Sequence, residues 1–257
     1  MIRHMYKMLI LAVLLLVAGC AGMVKKPVIV APPADVATAT GAFDPSKFTI
    51  HERMVHSVVM LPGCTGFVVR SNGDSSLILT AKHCLDGFQE VMKDGSTVTL
   101  PIPVATDLGW KQLCFGDIRA VDKVNDLALI GVDGCKLPTV VAPLAASEPK
   151  VGEPVYIVGH PMGTYYIMTK GVVSRPRFDG YILASAFALP GSSGGPMFNK
   201  RGEVIGLVTM ILMTPTYRRN GASFQRSDQF VHMPHLQFGM TLENIKGFMN
   251  QYTGKAK

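Results

Sequence analysis

The segment Ser76-Leu77-Ile78-Leu79-Thr80-Ala81-Lys82-His83-Cys84 places a histidine and a cysteine directly after a short apolar run. Similar runs recur along the chain, with turn residues such as Ser71-Asn72-Gly73-Asp74 and Asn199-Lys200-Arg201-Gly202 between them. Short β-branched or apolar runs separated by polar turns are typical of strands in a sandwich or barrel. The sequence therefore predicts an all-β domain. Further predicted strands lie within 56–60, 66–69, 127–130, 155–158 and 203–208.

The composition agrees with a folded, sheet-dominated protein. The chain has 257 residues, of which 48% are hydrophobic and 17% charged, and it contains 26 glycines and 17 prolines. These proportions favour a turn-rich domain with a sizeable core over a disordered chain. The net charge of +7 is spread over the two termini and a loop around Arg218, Arg219 and Arg226. Because it forms no basic stripe with interleaved aromatic residues, we expect no nucleic-acid partner.

The N-terminus has the layout of an export signal. Arg3 and Lys7 precede an apolar run from Met8 to Gly19. Val17-Ala18-Gly19-Cys20 resembles the bacterial lipobox, which implies cleavage before Cys20 and acylation of its sulfur. We therefore expect an extracytoplasmic protein that is lipid-anchored to a bacterial membrane, on the periplasmic face or the cell surface. An ordinary cleaved signal and an uncleaved anchor remain alternatives, because the apolar run is nearly long enough to span a bilayer.

The rest of the chain divides into a tether, a folded domain and a tail. A signal peptide is expected over 1–19, and the lipidated Cys20 begins a flexible tether that ends at 47. The domain is expected over 48–250, with one half at about 48–141 and the other at about 152–240. A terminal helix is expected at about 241–250, with Thr241 as its N-cap, followed by a tail at 251–257.

Four cysteines follow Cys20, and an even number in an exported protein indicates two disulfides. They are Cys64, Cys84, Cys114 and Cys135. Three pairings are possible, and pairing of sequence neighbours is the simplest because each bridge then closes a loop of about twenty residues. A zinc site is the competing interpretation, although no Cys-x-x-Cys pair is present and His83 adjoins Cys84.

Three segments together supply the groups for nucleophilic catalysis. His83 ends an apolar strand, Asp126 opens another, and Ser193 lies in a glycine-rich turn. Each alone is common in a turn or at a strand end. In combination they provide a nucleophile, a general base and a carboxylate that orients the base.

These segments resemble the active-site motifs of the chymotrypsin/trypsin-like serine endopeptidases. The matching stretches are Thr80-Ala81-Lys82-His83-Cys84, Asn125-Asp126-Leu127-Ala128-Leu129 and Gly191-Ser192-Ser193-Gly194-Gly195-Pro196. The segments 152–163 and 171–174 are closer to bacterial HtrA/Deg-type enzymes, although no PDZ module is expected after the domain. The resemblance implies two packed Greek-key β-barrels of six strands each, with His83 and Asp126 on the first and Ser193 on the second.

The resemblance also implies roles for individual residues. Ser193 would attack the scissile carbonyl of a polypeptide substrate, and His83 would take its proton while Asp126 orients the imidazole. The N–H groups of Gly191 and Ser193 would form the oxyanion hole. Phe187, Thr209, Met210 and Ile211 would line the primary specificity pocket and favour small or medium apolar residues, and no cofactor is needed.

Two other functions remain as alternatives to this one. A catalytically silent, lipid-anchored scaffold could keep the same fold, although such scaffolds usually lose a triad residue. The turn also matches the Gly-x-Ser-x-Gly motif of esterases, with Asp228 and His232 or His235 as partners, but crossover helices are missing from the pattern. Asp122 is the competing orienting acid. Apart from that alternative, we expect structural roles for His51, His56, His160, His232 and His235.

Overall fold

The computed structural model describes residues 43–91, 97–106, 113–220 and 223–254. The predicted signal peptide, Cys20 and most of the predicted tether lie outside these residues. Among the described residues, no helix combines the length and the apolar character needed to cross a membrane.

The first half of the domain is a closed antiparallel barrel. The strands of this half are β1 (Val58–Leu61), β2 (Cys64–Ser71), β3 (Ser75–Ala81), β4 (Gln89–Val91), β5 (Thr97–Thr99), β6 (Ile102–Ala105), β7 (Leu113–Asp122) and β8 (Leu127–Asp133). The strand order in the barrel is β1-β2-β3-β8-β7-β6, and the short pair β4 and β5 forms a separate two-stranded sheet.

The second half is also a closed antiparallel barrel. Its strands are β9 (Pro154–Gly159), β10 (Ile167–Phe178), β11 (Tyr181–Ala184), β12 (Pro196–Phe198), β13 (Val204–Asn220) and β14 (Ser223–Thr241). The strand order is β10-β11-β14-β13-β12-β9. The long hairpin of β13 and β14 runs from the Gly206–Thr241 pair to the Asn220–Ser223 pair.

The predicted all-β fold with two barrels of six strands is therefore confirmed over the described residues. β3 is almost continuously buried, as expected for a strand with apolar contacts on both faces, whereas the first half of β7 alternates between exposed and buried residues. One apolar cluster fills the first barrel and continues into the second through Val158 and Phe198. The other cluster fills the second barrel around Ile157 and Ile182. Both barrels thus form through ordinary burial of strand side chains.

A short helix precedes the first barrel, and the sequence pattern did not predict it. Helix α1 (Ile50–His56) begins with a capping box in which Thr49 and Glu52 exchange hydrogen bonds between side chain and backbone. Because the helix extends through His56, the strand predicted over 56–60 starts only at Val58. A 3-10 turn at Pro45–Lys47 precedes the helix, inside the segment that was predicted as tether.

The predicted terminal helix is present and longer than expected. Helix α2 (Leu242–Gly254) packs Ile245 and Phe248 into the first apolar cluster. Leu242 packs into the second cluster, so the helix contacts both. It continues four residues past the predicted end at 250 and takes up the start of the predicted tail.

Candidate active site

His83 lies just after β3, in the 3-10 segment Lys82–Phe88. The strand itself is buried, so its end carries His83 to the surface, where 41% of the side chain is exposed. The next residue, Cys84, is bonded to Cys64 at the start of β2. The disulfide thereby joins the histidine turn to a neighbouring strand.

Asp126 lies in the turn between β7 and β8 and holds both the ring and the backbone of His83. Its Oδ2 lies 2.7 Å from His83 Nδ1, and its Oδ1 accepts the backbone N–H of His83 at 2.9 Å. The Asp126 carbonyl accepts the Lys82 N–H at 3.0 Å. These bonds fix the carboxylate against one edge of the imidazole, which leaves Nε2 as the nitrogen available for proton transfer.

The hydrogen bond that His83 Nδ1–H donates to Asp126 raises the pKa of the His83 imidazole above its ordinary value of 6.5. Desolvation of the ring acts in the opposite direction, and the negative charges of Asp126 and Asp86 add to the increase. A carboxylate bonded to Nδ1 stabilises the imidazolium that forms when the ring accepts a proton.

Asp122, the competing acid, binds its own turn. Its carboxylate accepts the N–H groups of Val124 and Asn125 and the Asn125 side-chain amide. Desolvation would raise the pKa of Asp122, but these hydrogen bonds together outweigh it and lower the pKa. Asp122 therefore shapes the β7–β8 turn, while Asp126 contacts the histidine.

Ser193 lies in the turn before β12, and four consecutive carbonyls around it accept hydrogen bonds. Pro190 O accepts from Met162 N, Gly191 O from the Thr65 hydroxyl, Ser192 O from Gly195 N and Ser193 O from Thr65 N. Among the described residues, the N–H groups of Gly191 and Ser193 donate to no protein acceptor. The turn thus leaves two backbone donors, two residues apart, beside the candidate nucleophile.

Two glycines in this turn have backbone conformations and surroundings that exclude side chains. Gly194 has φ +80°, and an added Cβ would lie 2.2 Å from Thr65 O and from Thr80 Oγ1. Gly191 has φ +101°, and its Cβ would lie 2.6 Å from His160 O. Only glycine allows the turn to approach the first barrel this closely at Gly194 and the backbone of His160 this closely at Gly191.

The turn and the histidine segment meet at the Cys64–Cys84 disulfide. The Ser193 carbonyl oxygen lies 3.7 Å from Cys84 Sγ and accepts the Thr65 N–H at 2.9 Å. His83, Asp126 and Ser193 are therefore brought to neighbouring segments of the two barrels. Within the described residues, Ser193 Oγ makes no hydrogen bond to His83. Such bonds are often long in the absence of substrate.

The four cysteines form two disulfides, as predicted, and the pairs are Cys64–Cys84 and Cys114–Cys135, the simplest of the three possible pairings. Cys64, His83 and Cys84 are close enough for their ligand atoms to surround one ion. Both sulfurs are engaged in the bridge, however, so neither supplies the thiolate that a zinc site requires.

The residues predicted to line the specificity pocket are only partly described. Phe187 is half-buried, and its carbonyl accepts the Thr169 hydroxyl at 2.6 Å. Thr209 is buried in β13. The side chains of Met210 and Ile211 lie outside the described part of the chain, and their backbones pair with Phe238 and Gln237 of β14.

The remaining histidines with described side chains make aromatic contacts. His160 is buried, and its ring centroid lies 4.9 Å from that of Tyr166. His51 packs on Tyr156, and His56 stacks on Phe48. The side chains of His232 and His235, which the esterase alternative requires, lie outside the described residues. The two antiparallel barrels differ from the parallel sheet with crossover helices of that alternative.

The chain belongs to the family described as the trypsin-like peptidase domain, whose model matches residues 64–207. It is 32% identical over 201 residues to a probable periplasmic serine endoprotease, DegP-like, of Pseudomonas savastanoi pv. phaseolicola, a match covering 75% of this chain and 35% of the relative.

A second relative, the putative serine protease HhoA of Synechocystis, is 33% identical over 164 residues, or 57% of this chain and 36% of the relative. The chain thus spans about a third of the length of these curated relatives. The crystal structure of the serine endoprotease from Yersinia pestis matches with a TM-score of 0.58 and 21% identity, covering 81% of this chain and 66% of that one. This likeness supports the fold.

Proposed function

We propose that this protein is a serine endopeptidase in which His83, Asp126 and Ser193 act as a catalytic triad. The observation that carries the proposal is the 2.7 Å contact between His83 Nδ1 and Asp126 Oδ2, next to a glycine-rich turn that presents Ser193. A neutral imidazole held in this way can accept a proton at Nε2. Membership of the trypsin-like peptidase family supports the same chemistry.

In the proposed reaction, Ser193 Oγ attacks the scissile carbonyl and its proton passes to His83 Nε2. The C–N bond then breaks as the imidazolium returns that proton to the leaving amine, which leaves an acyl-enzyme. Water, activated by the same histidine, hydrolyses the ester and restores Ser193. The N–H groups of Gly191 and Ser193 would stabilise the oxyanion that forms in each step, because they have no competing acceptor among the described residues.

A fluorophosphonate probe tests the nucleophile directly, because it forms a covalent bond with an activated serine. We expect labelling of the wild-type chain and none of Ser193→Ala. Ser192→Ala is the matched control: Ser192 is the buried neighbour, and its Oγ lies beside the Leu189 N–H at 3.4 Å. Equal labelling of the wild type and Ser193→Ala would contradict the assignment.

For the substrate, we propose a preference for small or medium apolar residues before the cleaved bond. Phe187 stands six residues before Ser193, where tryptic specificity requires an aspartate, and Ile211 stands where wide pockets carry glycine. A cleavage profile on a peptide library should show cuts after Val, Ala or Leu, with Phe and Tyr gained in Ile211→Gly. Dominant cleavage after Arg or Lys would contradict the pocket assignment.

For the location, we propose an extracytoplasmic protein attached to a bacterial membrane through acylated Cys20. The lipobox-like segment before Cys20 supports the anchor. Two disulfides and a relative that is named as periplasmic support the compartment, since disulfides persist mainly outside the cytosol.

A further inference from the structure

We propose that Thr65, a residue of the first barrel, positions the oxyanion hole in the second barrel. This inference rests on the endopeptidase function proposed above. Thr65 is the second residue of β2 and is fully buried. No sequence motif marked it, because its partners lie far away along the chain, at 95 and 126 residues' distance.

The Thr65 hydroxyl links two segments of the second barrel. It accepts the backbone N–H of His160 at 3.0 Å and donates to the Gly191 carbonyl at 2.7 Å. The bond from His160 N–H uses a lone pair of the hydroxyl oxygen and not its hydrogen, so the hydrogen can point at the Gly191 carbonyl. Only a hydroxyl of this size both accepts and donates here, and an isosteric valine does neither.

The backbone of Thr65 is bonded to the same region. Its N–H donates to Ser193 O at 2.9 Å, and its carbonyl accepts the Thr80 hydroxyl at 2.7 Å. The adjacent Cys64–Cys84 disulfide also holds the start of β2. The backbone of Thr65 is thus fixed in the first barrel, so Thr65 provides a rigid support for the turn that carries Ser193.

The turn needs such support because Gly191 is a glycine. Glycine is required there for space, but its backbone also has more conformational freedom than that of any other residue. The peptide group between Gly191 and Ser192 is fixed at both ends. Its carbonyl, Gly191 O, accepts the Thr65 hydroxyl, and its N–H, Ser192 N, donates to Leu189 O at 2.9 Å. With that group fixed, the Gly191 backbone cannot rotate freely.

The 3-10 turn Pro161–Gly163 and its N-cap His160, called the His160 turn, fix the peptide group between Pro190 and Gly191. Thr65 binds this turn as well, through the His160 N–H. Met162 N donates to Pro190 O at 2.8 Å, in the same peptide group as the Gly191 N–H. In a planar trans peptide, fixing the carbonyl also fixes the direction of the N–H. Thr65 therefore acts on the Gly191 N–H along two routes, through Gly191 O and through the His160 turn.

The test compares Thr65→Val, which keeps the shape and loses the hydroxyl, with Thr65→Ser, which keeps the hydroxyl. In Thr65→Val we expect kcat and kcat/KM for a peptide substrate to fall together by about 10- to 100-fold, with KM within about twofold. Thr65→Ser should retain most of the wild-type kcat. A peptidyl aldehyde, which forms an oxyanion on Ser193, should bind more weakly to Thr65→Val in proportion to the loss of kcat/KM.

Two controls separate positioning from general damage. Thr106→Val removes a hydroxyl that is buried directly after β6 and has no hydrogen-bond partner in the described structure, and it should leave kcat unchanged. The acidic limb of the pH–rate profile depends on His83 and Asp126, so it should have the same midpoint in Thr65→Val as in the wild type. If Thr65→Val does not fold, Thr65→Ala against Thr65→Ser makes the same comparison.

Wild-type kcat in Thr65→Val, or an equal loss in Thr65→Ser and Thr65→Val, would overturn the inference while leaving the endopeptidase proposal intact. A wild-type protein without turnover dependent on Ser193 would overturn both proposals.

Discussion

At the scale of single residues, Asp126 shows how the site is held. Its φ of +52° is uncommon for a residue with a side chain, and such backbone strain costs about 1–3 kcal/mol. The hydrogen bonds to the backbones of Lys82 and His83 and to the His83 ring offset that cost. The sequence predicted the partnership with His83, because an acid before Leu127-Ala128-Leu129 marks the motif. The backbone conformation depends on contacts across 43 residues, which no local pattern contains.

We expect the same pair to set the pH dependence of activity. In the proposed mechanism His83 must be neutral to accept the Ser193 proton, so activity should be lost as the pH falls through the pKa of His83 in the folded protein. Because the bond to Asp126 is the main cause that raises this pKa, the acidic limb should lie above the ordinary value of 6.5. In Asp126→Asn we expect kcat to fall by about 10⁴-fold and the limb to move to lower pH. The measurement is kcat/KM against pH.

Asp122→Asn is the control, because the Asp122 carboxylate accepts hydrogen bonds from its own turn, whereas Asp126 contacts the His83 ring. Its acidic limb should coincide with that of the wild type. If the acidic limb of the kcat/KM profile shifted in Asp122→Asn and did not shift in Asp126→Asn, Asp122 and not Asp126 would be the acid that orients His83.

At the scale of elements, the two disulfides have different surroundings. Cys114–Cys135 joins β7 to the segment after β8, while Cys64–Cys84 holds the histidine turn beside Ser193. Each closes a loop of about twenty residues. We expect the double variant Cys114→Ser/Cys135→Ser to lose about 3 kcal/mol of unfolding free energy without a change in kcat.

The double variant Cys64→Ser/Cys84→Ser should lose a similar unfolding free energy and also lower kcat, because the bridge contacts the catalytic turn. Denaturant unfolding and peptide turnover below the Tm measure the two effects. Equal kcat in the two double variants would show that the bridge beside His83 has no part in positioning.

Other elements show where sequence patterns were sufficient and where they were not. The strand runs, the presence of two disulfides and helix α2 followed from local patterns of apolar residues and turns and from the number of cysteines, whereas the pairing of the cysteines was left open. Helix α1 was missed, although its capping residues Thr49 and Glu52 stand at the required spacing. With seven residues it is too short for a clear helical period, so the apolar run that follows dominated the interpretation.

At the scale of the whole molecule, the proposed endopeptidase function depends on contacts between the first barrel and the second, such as that of Thr65 with the Ser193 turn. The sequence predicted the two barrels and the residues of the triad. It could not predict the contact of Thr65 with the Ser193 turn, because that contact joins residues from different barrels. The resemblance to trypsin-like enzymes named the residues of the proposed triad, and only the structure showed which residues contact them.

The membrane anchor is a further property of the whole molecule. We expect Cys20→Ala to release the protein from the membrane fraction or to leave its signal uncleaved, because acylated Cys20 is the proposed attachment. Mass spectrometry of the mature N-terminus in a bacterial host with lipoprotein processing gives the answer. An unmodified N-terminus downstream of residue 20 would contradict the anchor.

The most direct test of the central claim is the turnover of a peptide substrate by the wild-type chain, Ser193→Ala and His83→Ala, with matched circular dichroism for all three. The account predicts cleavage by the wild type and a loss of several orders of magnitude in kcat in each variant, because the three groups act as a unit. Comparable turnover by purified Ser193→Ala, or none by the folded wild type, would contradict it.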